Sequence, residues 1–298
     1  MPPQLPTVPD ISQTAKFGEG IKQSGIVVLV IAAMIVLVLV VIYIVNMVRK
    51  TKLQNVVLQT NLIATDNRSV VPFTVPAGSM SLITNGQEFS YSFWIFLGGN
   101  YQPTNGYKMI MQRGNTNSYT GTLLQISSTT NPIILMDPAS NKMYFAVATN
   151  AAKNTAANLT PVQILATDSK GQYTSGYLVT YIDYVPLQRW VNIALVIKNT
   201  AIYVYMDADL YSVVSLSDIS PQTSAGQGAI IQGTSGDLLI GDSVNNTPGY
   251  ISLARFFNYA IGQPDLQTLY NSGPALSSWL SYVGLGNYAV RSPIYEIA

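Results

Sequence analysis

The 298-residue chain contains no cysteine and no histidine. Without cysteine there are no disulfides to staple the fold and no thiolate chemistry, redox or metal-binding, which fits a reducing compartment. Without histidine, catalytic triads that use imidazole, imidazole general bases and His-ligated metals are excluded. Charge is scarce as well: charged residues make up 10% of the chain, and 15 Lys and Arg stand against 14 Asp and Glu for a net charge of +1. So balanced a surface offers nothing to a polyanion, and nucleic acid is not expected as a partner. Glutamate is rarer still, with only Glu88 and Glu296 beyond residue 50. Neither has an acidic neighbour close enough in sequence to form the paired carboxylates that glycoside hydrolysis requires. The chain therefore reads as non-enzymatic, with no cofactor and no metal site.

What the chain has in plenty is apolar sequence. Ile26 to Val45 is an unbroken run of twenty residues, centred near Leu37, in which sixteen are Ile, Leu or Val. At about 1.5 Å per residue such a helix spans roughly 30 Å, the thickness of a bilayer's hydrocarbon core. A cleavable signal peptide does not fit, because the run is too long, starts too far from the N terminus and is followed by Arg49, Lys50 and Lys52 where a cleavage site belongs. A transmembrane helix over 25–48 is expected, with a lipid bilayer as a partner. The run carries no GxxxG pair, so it reads as an anchor and not as a packing helix. Three basic residues after the run against Lys16 and Lys22 before it lean toward a cytosolic C-terminal part. Before the span lies a Pro-rich tail, 1–24, and after it a basic neck, 49–74, that ends in VPFTVP, an extended entry to the next domain.

From about residue 75, short alternating or apolar runs are separated by clusters of Gly, Asn, Ser, Thr and Pro, the pattern of an all-β domain. Expected strands are Glu88 to Phe96, Tyr107 to Gln112, Thr122 to Ile126, Ile133 to Asp137, Lys142 to Ala148, Gly176 to Ile182, Trp190 to Lys198, Ala201 to Met206, Leu210 to Leu216, Asp237 to Ile240 and Tyr250 to Asn258. So many strands in one domain imply two packed antiparallel sheets. The tight links Asn199-Thr200 and Asp207-Ala208-Asp209 predict a meander from Trp190 to Leu216. A short helix is expected from Gln263 to Asn271, with Pro264 near its start and Gly273 past its end, and another helical turn from Ser277 to Val283.

The order EFSYSFWIF (88–96), QRWVNIALVIKNTAIYVYMDADL (188–210), LLIGDS (238–243) and GYISLARFFNYAIGQPDLQTLYNSGP (249–274) resembles the concanavalin A-like lectin/glucanase superfamily in its laminin-G-like branch. The resemblance covers about residues 85 to 273. It implies an all-β, two-sheet antiparallel jelly-roll sandwich over 75–274, here preceded by one transmembrane α-helix. It also implies a central strand at Trp190 and a closing strand-plus-helix at the end. The glucanases of the superfamily carry two Glu and one Asp at alternate positions of a strand, near ExDxxE, and this chain has no such motif. More loosely, an anchored, cysteine-free sandwich resembles the membrane-anchored minor capsid proteins of large icosahedral DNA viruses with an internal membrane.

Fold alone does not decide function, so candidate sites are weighed one by one. Asp207 and Asp209, with Asp183 and Asp242, are oxygen ligands of the kind calcium takes, but a hairpin turn explains the first pair better. Nineteen tyrosines and three tryptophans invite a glycan-stacking reading, although Tyr91, Phe93, Tyr203 and Tyr205 alternate like core or sheet-surface residues. The polar loops 98–106, 113–121, 149–160 and 220–236 suit broad protein contacts. In the C-terminal extension, 275–298, Trp279, Tyr282, Tyr288 and Tyr295 are candidate partner contacts.

Two functions follow. The first is a structural protein that ties a bilayer to a protein layer such as a viral capsid, its domain facing the cytosol or lying between internal membrane and shell. The alternative is a cell-surface, glycan-binding lectin-like protein, with the sequons at Asn67, Asn158 and Asn245 occupied.

Overall fold

A computed structural model describes residues 28–44, 55–59, 63–65, 72–80, 88–99, 103–114, 118–121, 123–127, 130–149, 158–169, 173–198, 200–216, 231, 233 and 235–274. The chain divides into two compact units after Lys52. In the first, a helix α1 covers residues 28–44, and every one of its side chains is exposed, Leu37 at 64%. Here the expectation of a single-pass membrane protein is overturned: among the described residues no helix is long and apolar enough to cross a membrane. At about 1.5 Å per residue the described part of α1 covers about 26 Å. Ile26, Val45, Arg49, Lys50 and Lys52 lie outside the described residues. With the span goes the anchored localisation, cytosol-facing or between internal membrane and capsid, and a linker from bilayer to shell loses its attachment.

The second unit is built on two antiparallel sheets, with strands numbered along the chain. Sheet A runs in the order β1 (Asn55–Gln59), β16 (Gly249–Phe257), β4 (Phe89–Leu97), β12 (Trp190–Lys198), β13 (Ala201–Met206) and β14 (Asp209–Ser215), and β2 (Ile63–Ala64) also pairs with β16. Sheet B runs β11 (Tyr177–Ile182), β9 (Met143–Ala148), β8 (Ile133–Met136), β5 (Lys108–Gly114), β15 (Asp237–Ile240) and β3 (Phe73–Val75). A smaller sheet joins β10 (Asn158–Leu159), β7 (Leu123–Ser127) and β6 (Ser118–Thr120). Two helices complete the unit, α2 (Pro161–Ile164) and α3 (Gln263–Ser272).

The strands pair as they do because their side chains alternate, and one parity of each strand is apolar. Phe89, Tyr91, Phe93, Ile95 and Leu97 of β4 and Val191, Ile193, Leu195 and Ile197 of β12 point between the sheets. They meet Met143, Phe145 and Val147 of β9 and Leu178 and Ile182 of β11 there. Each fully buried side chain of this size contributes roughly 1.5 to 3 kcal/mol, so this layer carries most of the driving force. At one side of the sandwich the edge strands approach each other, and the hydroxyls of Thr180 on β11 and Ser212 on β14 share a hydrogen bond.

The meander is present, and its second link is tighter than expected. Met206 pairs with Asp209, leaving Asp207 and Ala208 as a two-residue turn with φ of 53° and 68°. Positive φ at both centre positions matches the right-handed twist of the flanking strands. Segments of the expected neck also enter the sheets: β1 and β2 pair with β16, and β3 pairs with β15.

Candidate functional site

The two outer faces of the sandwich are furnished differently. On sheet A, β16 leads into α3, which starts with Pro264 in its first turn and the Asp265 carboxylate accepting from the Gly262 N–H at 3.3 Å. α3 lays Leu266 and Leu269 against Ala194 and Val196 of β12 and Phe257 of β16. The Tyr270 ring stacks on Trp94 at 5.8 Å, and the Ser90 hydroxyl bonds both the Tyr259 carbonyl and the Ile261 N–H. That region is sealed. Farther along the same face Trp190, Phe96 and Tyr250 stand opposite one another on β12, β4 and β16, with ring centroids 5.6 and 6.2 Å apart.

On sheet B, part of the outer face is covered by β7 and α2, whose Leu124, Ile126 and Ile164 pack on Met109, Ala146, Ala148 and Tyr177. Beyond that cover the face turns to tyrosine. Tyr144 of β9 stands directly opposite Tyr181 of β11. Their rings meet edge to face at 6.0 Å, and Tyr144 meets Tyr107, just before β5, in the same way at 6.1 Å. Perpendicular rings place the positive edge of one on the negative face of the next. Alternation explains the placement: Met143 and Phe145 face inward, so Tyr144 between them must face out.

Lys142 sits on this row. Its ammonium lies 3.5 Å from the centroid of the Tyr181 ring and 5.4 Å from that of Tyr144, and it pairs with the Asp183 carboxylate at 3.1 Å. The Asp183 side chain is 67% exposed, so the pair is mostly solvated and contributes little to stability. The Asp183 N–H donates to the Tyr211 hydroxyl of β14 at 3.2 Å, extending the row to the edge of sheet A. Burial, then Tyr144 and Asp137, pushes the phenol of Tyr107 up, and burial does the same for Tyr144 and Tyr173. These hydroxyls therefore stay protonated, each both donor and acceptor. Tyr181 is 38% exposed and Tyr184 57%.

The aspartates weighed as calcium ligands are separate and already engaged. Asp207 pairs with Arg189 at 2.7 Å and accepts from the Asn192 N–H at 2.8 Å, and burial nevertheless pushes its carboxyl up. Asp242 accepts from the N–H groups of Val244, Asn245 and Met109, and Asp183 holds Lys142. Among the described residues no three acidic side chains come together as a metal site. Tyr91 and Phe93 are core, and Tyr203 and Tyr205 pack beside α3. Asn158 is exposed, whereas Asn245 is 3% exposed and cannot accept a glycan in the folded chain; Asn67 lies outside the described residues. So do Trp279, Tyr282, Tyr288 and Tyr295, the expected helical turn at Ser277 to Val283 and most of the four polar loops, although Arg113 at the head of one loop is buried over the Phe256 ring.

Lys108 of β5 and Tyr177 of β11, the latter beneath the cover on sheet B, are fully buried. Burial pushes Lys108 down to about 8, and Tyr177, whose hydroxyl has no hydrogen-bond partner among the described residues, up to about 12. The tyrosine row went unread in the sequence because its members are far apart in the chain. The one local signal was Lys142, Tyr144, Tyr181 and Asp183 in two segments already read as strands.

No family model matches the sequence, and no curated protein matches it. Solved structures similar to the chain include the receptor binding domain of botulinum neurotoxin D, at 12% identity over 65% of this chain and 38% of that one, with a TM-score of 0.41. The ligand binding domain of botulinum neurotoxin serotype D, in complex with N-acetylneuraminic acid, is similar at 12% identity over 67% of this chain and 39% of that one, TM-score 0.42. The receptor binding domain of the C/D mosaic serotype is similar at 12% identity over 62% and 36%, TM-score 0.38. This chain thus spans under two fifths of the length of each.

Proposed function

We propose that the chain is a non-enzymatic interaction protein whose sandwich, of the concanavalin A-like type, binds a glycan in the manner of a lectin. One observation carries the reading: the row Tyr107, Tyr144, Tyr181, half-buried at its first two rings and 38% exposed at Tyr181, adjoins the packed part of sheet B and carries the partly solvated Lys142–Asp183 pair. Aromatic rings offer apolar surface to the C–H faces of a sugar ring, and phenol, ammonium and carboxylate groups take its hydroxyls. Few convergent polar groups set among aromatics is the general make-up of a ligand site. Lack of histidine and of paired glutamates supports a role in binding without turnover.

The test is a glycan-array screen of the full chain against Tyr144→Ala and Tyr181→Ala. The expected result is binding to a defined set of glycans that both substitutions abolish while the far-ultraviolet circular dichroism stays that of the parent. Retention of binding by both variants would place the ligand elsewhere and end this reading.

A further inference from the structure

Resting on that reading, we infer that the tyrosine face selects an uncharged saccharide and discriminates against sulfated, sialylated or other acidic ones. The argument is one of charge and hydrogen-bond inventory. Lys142 is the cation set among these rings, and its charge is already met by Asp183 at 3.1 Å and by the faces of Tyr181 and Tyr144. Asp137 adds a second carboxylate whose field reaches both Tyr107 and Tyr144. Lys108, buried and in the field of Asp137, offsets that carboxylate in turn, so among the described residues the face holds no uncompensated cation, and an anionic ligand meets the exposed Asp183 carboxylate. To use Lys142, it must first take it from Asp183 and the rings.

An uncharged polyol meets the opposite situation. Asp183 spends one carboxylate oxygen on Lys142 and is two-thirds exposed, which leaves acceptor capacity for a sugar hydroxyl. Vicinal hydroxyls suit a carboxylate because both can donate to it, and bonds to an ionised acceptor are the stronger kind. The phenols, held protonated, add neutral donors and acceptors that no change of pH in the physiological range removes. Nothing in this inventory needs a metal ion to bridge protein and sugar.

The experiment is a calorimetric titration of the full chain with neutral oligosaccharides and with the same cores carrying a sulfate or a sialic acid. The acidic forms are expected to bind on the order of tenfold more weakly, as one like charge at close range implies. The gap should narrow as salt is raised and in Asp183→Asn, which should also weaken the neutral ligand because the ionised acceptor is lost. Equal or tighter binding of the acidic forms overturns the selectivity and leaves the lectin reading standing. Absence of binding by both classes overturns the lectin reading and this inference with it.

Discussion

The outer face of sheet A and the outer face of sheet B start from the same material, a strand lattice with aromatic residues at alternate positions, and end differently. On sheet A, small residues at Ala194 and Val196 leave a trough that α3 fills with Leu266 and Leu269, and Trp94 is capped by Tyr270. On sheet B, β7 and α2 cover Ala146, Ala148 and Tyr177, Tyr144 is half-buried at the margin of that cluster, and Tyr181 is exposed. Ala146 and Ala148 make room for a covering element, under which Tyr177 is buried as well, whereas Tyr181 at the other end of β11 keeps 38% of its surface in water. The same alternation thus yields a second small core in one place and a partly exposed tyrosine row in the other.

The largest effect that sharpens this contrast is expected on the sealed side. Leu266→Ala removes a side chain with no solvent exposure and should cost about 3 kcal/mol in urea unfolding, with the midpoint falling at unchanged slope. A cost below about 1 kcal/mol would mean that α3 merely rests on sheet A.

Next is Tyr177, under the cover on sheet B. Its phenol ionises near 10 when unfolded and is held to about 12 when folded, so the folded state binds more protons in that window. Stability should therefore fall as pH rises from 10 to 12, by about 2 to 3 kcal/mol from this group. Tyr177→Phe should flatten that part of the curve. Because the hydroxyl is buried with no hydrogen-bond partner among the described residues, the same substitution should leave stability at neutral pH unchanged or raise it by about 1 kcal/mol. A fall of that size instead would show that the hydroxyl is satisfied.

On the open face the expected stability effect is smaller still. Tyr181→Ala should cost less than about 1 kcal/mol while removing glycan binding, so function and stability separate there as they do not on sheet A. A cost comparable to that of Leu266→Ala would break the comparison, because the row would then be core. The smallest effect is a null one. Expressed in a glycosylating host, the chain should carry no glycan at Asn245, read by mass spectrometry of that peptide, since the side chain is buried and the backbone N–H is held by Asp242.

Much of the sandwich was legible in the primary structure. Trp190 to Lys198, Ala201 to Met206 and Asp237 to Ile240 match β12, β13 and β15 residue for residue, and Gln263 to Asn271 falls one residue short of α3. Those segments are apolar enough, and bounded sharply enough by Gly, Pro, Asn and Asp, for local pattern to decide them. The missed strands β1, β2, β3, β6 and β10 have two to five residues, and all of them but β6, which pairs with the next strand, are recruited by partners far away in sequence. The apolar run at Ile26 to Val45 predicts a membrane span from hydropathy alone, whereas among the described residues no helix is long and apolar enough to cross a membrane.

By itself, the order of residues determined that this chain has neither thiol nor imidazole chemistry, that it has almost no net charge, and that its larger part folds as packed β-sheets, because composition and alternation are local properties. Only the tertiary structure decided which alternating face is closed and which is open. Tyr107, Tyr144 and Tyr181 become neighbours through strand register, and the cover over Tyr177 ends beside them. Register is set by the whole inward-facing set of side chains packing at once, which no single segment encodes.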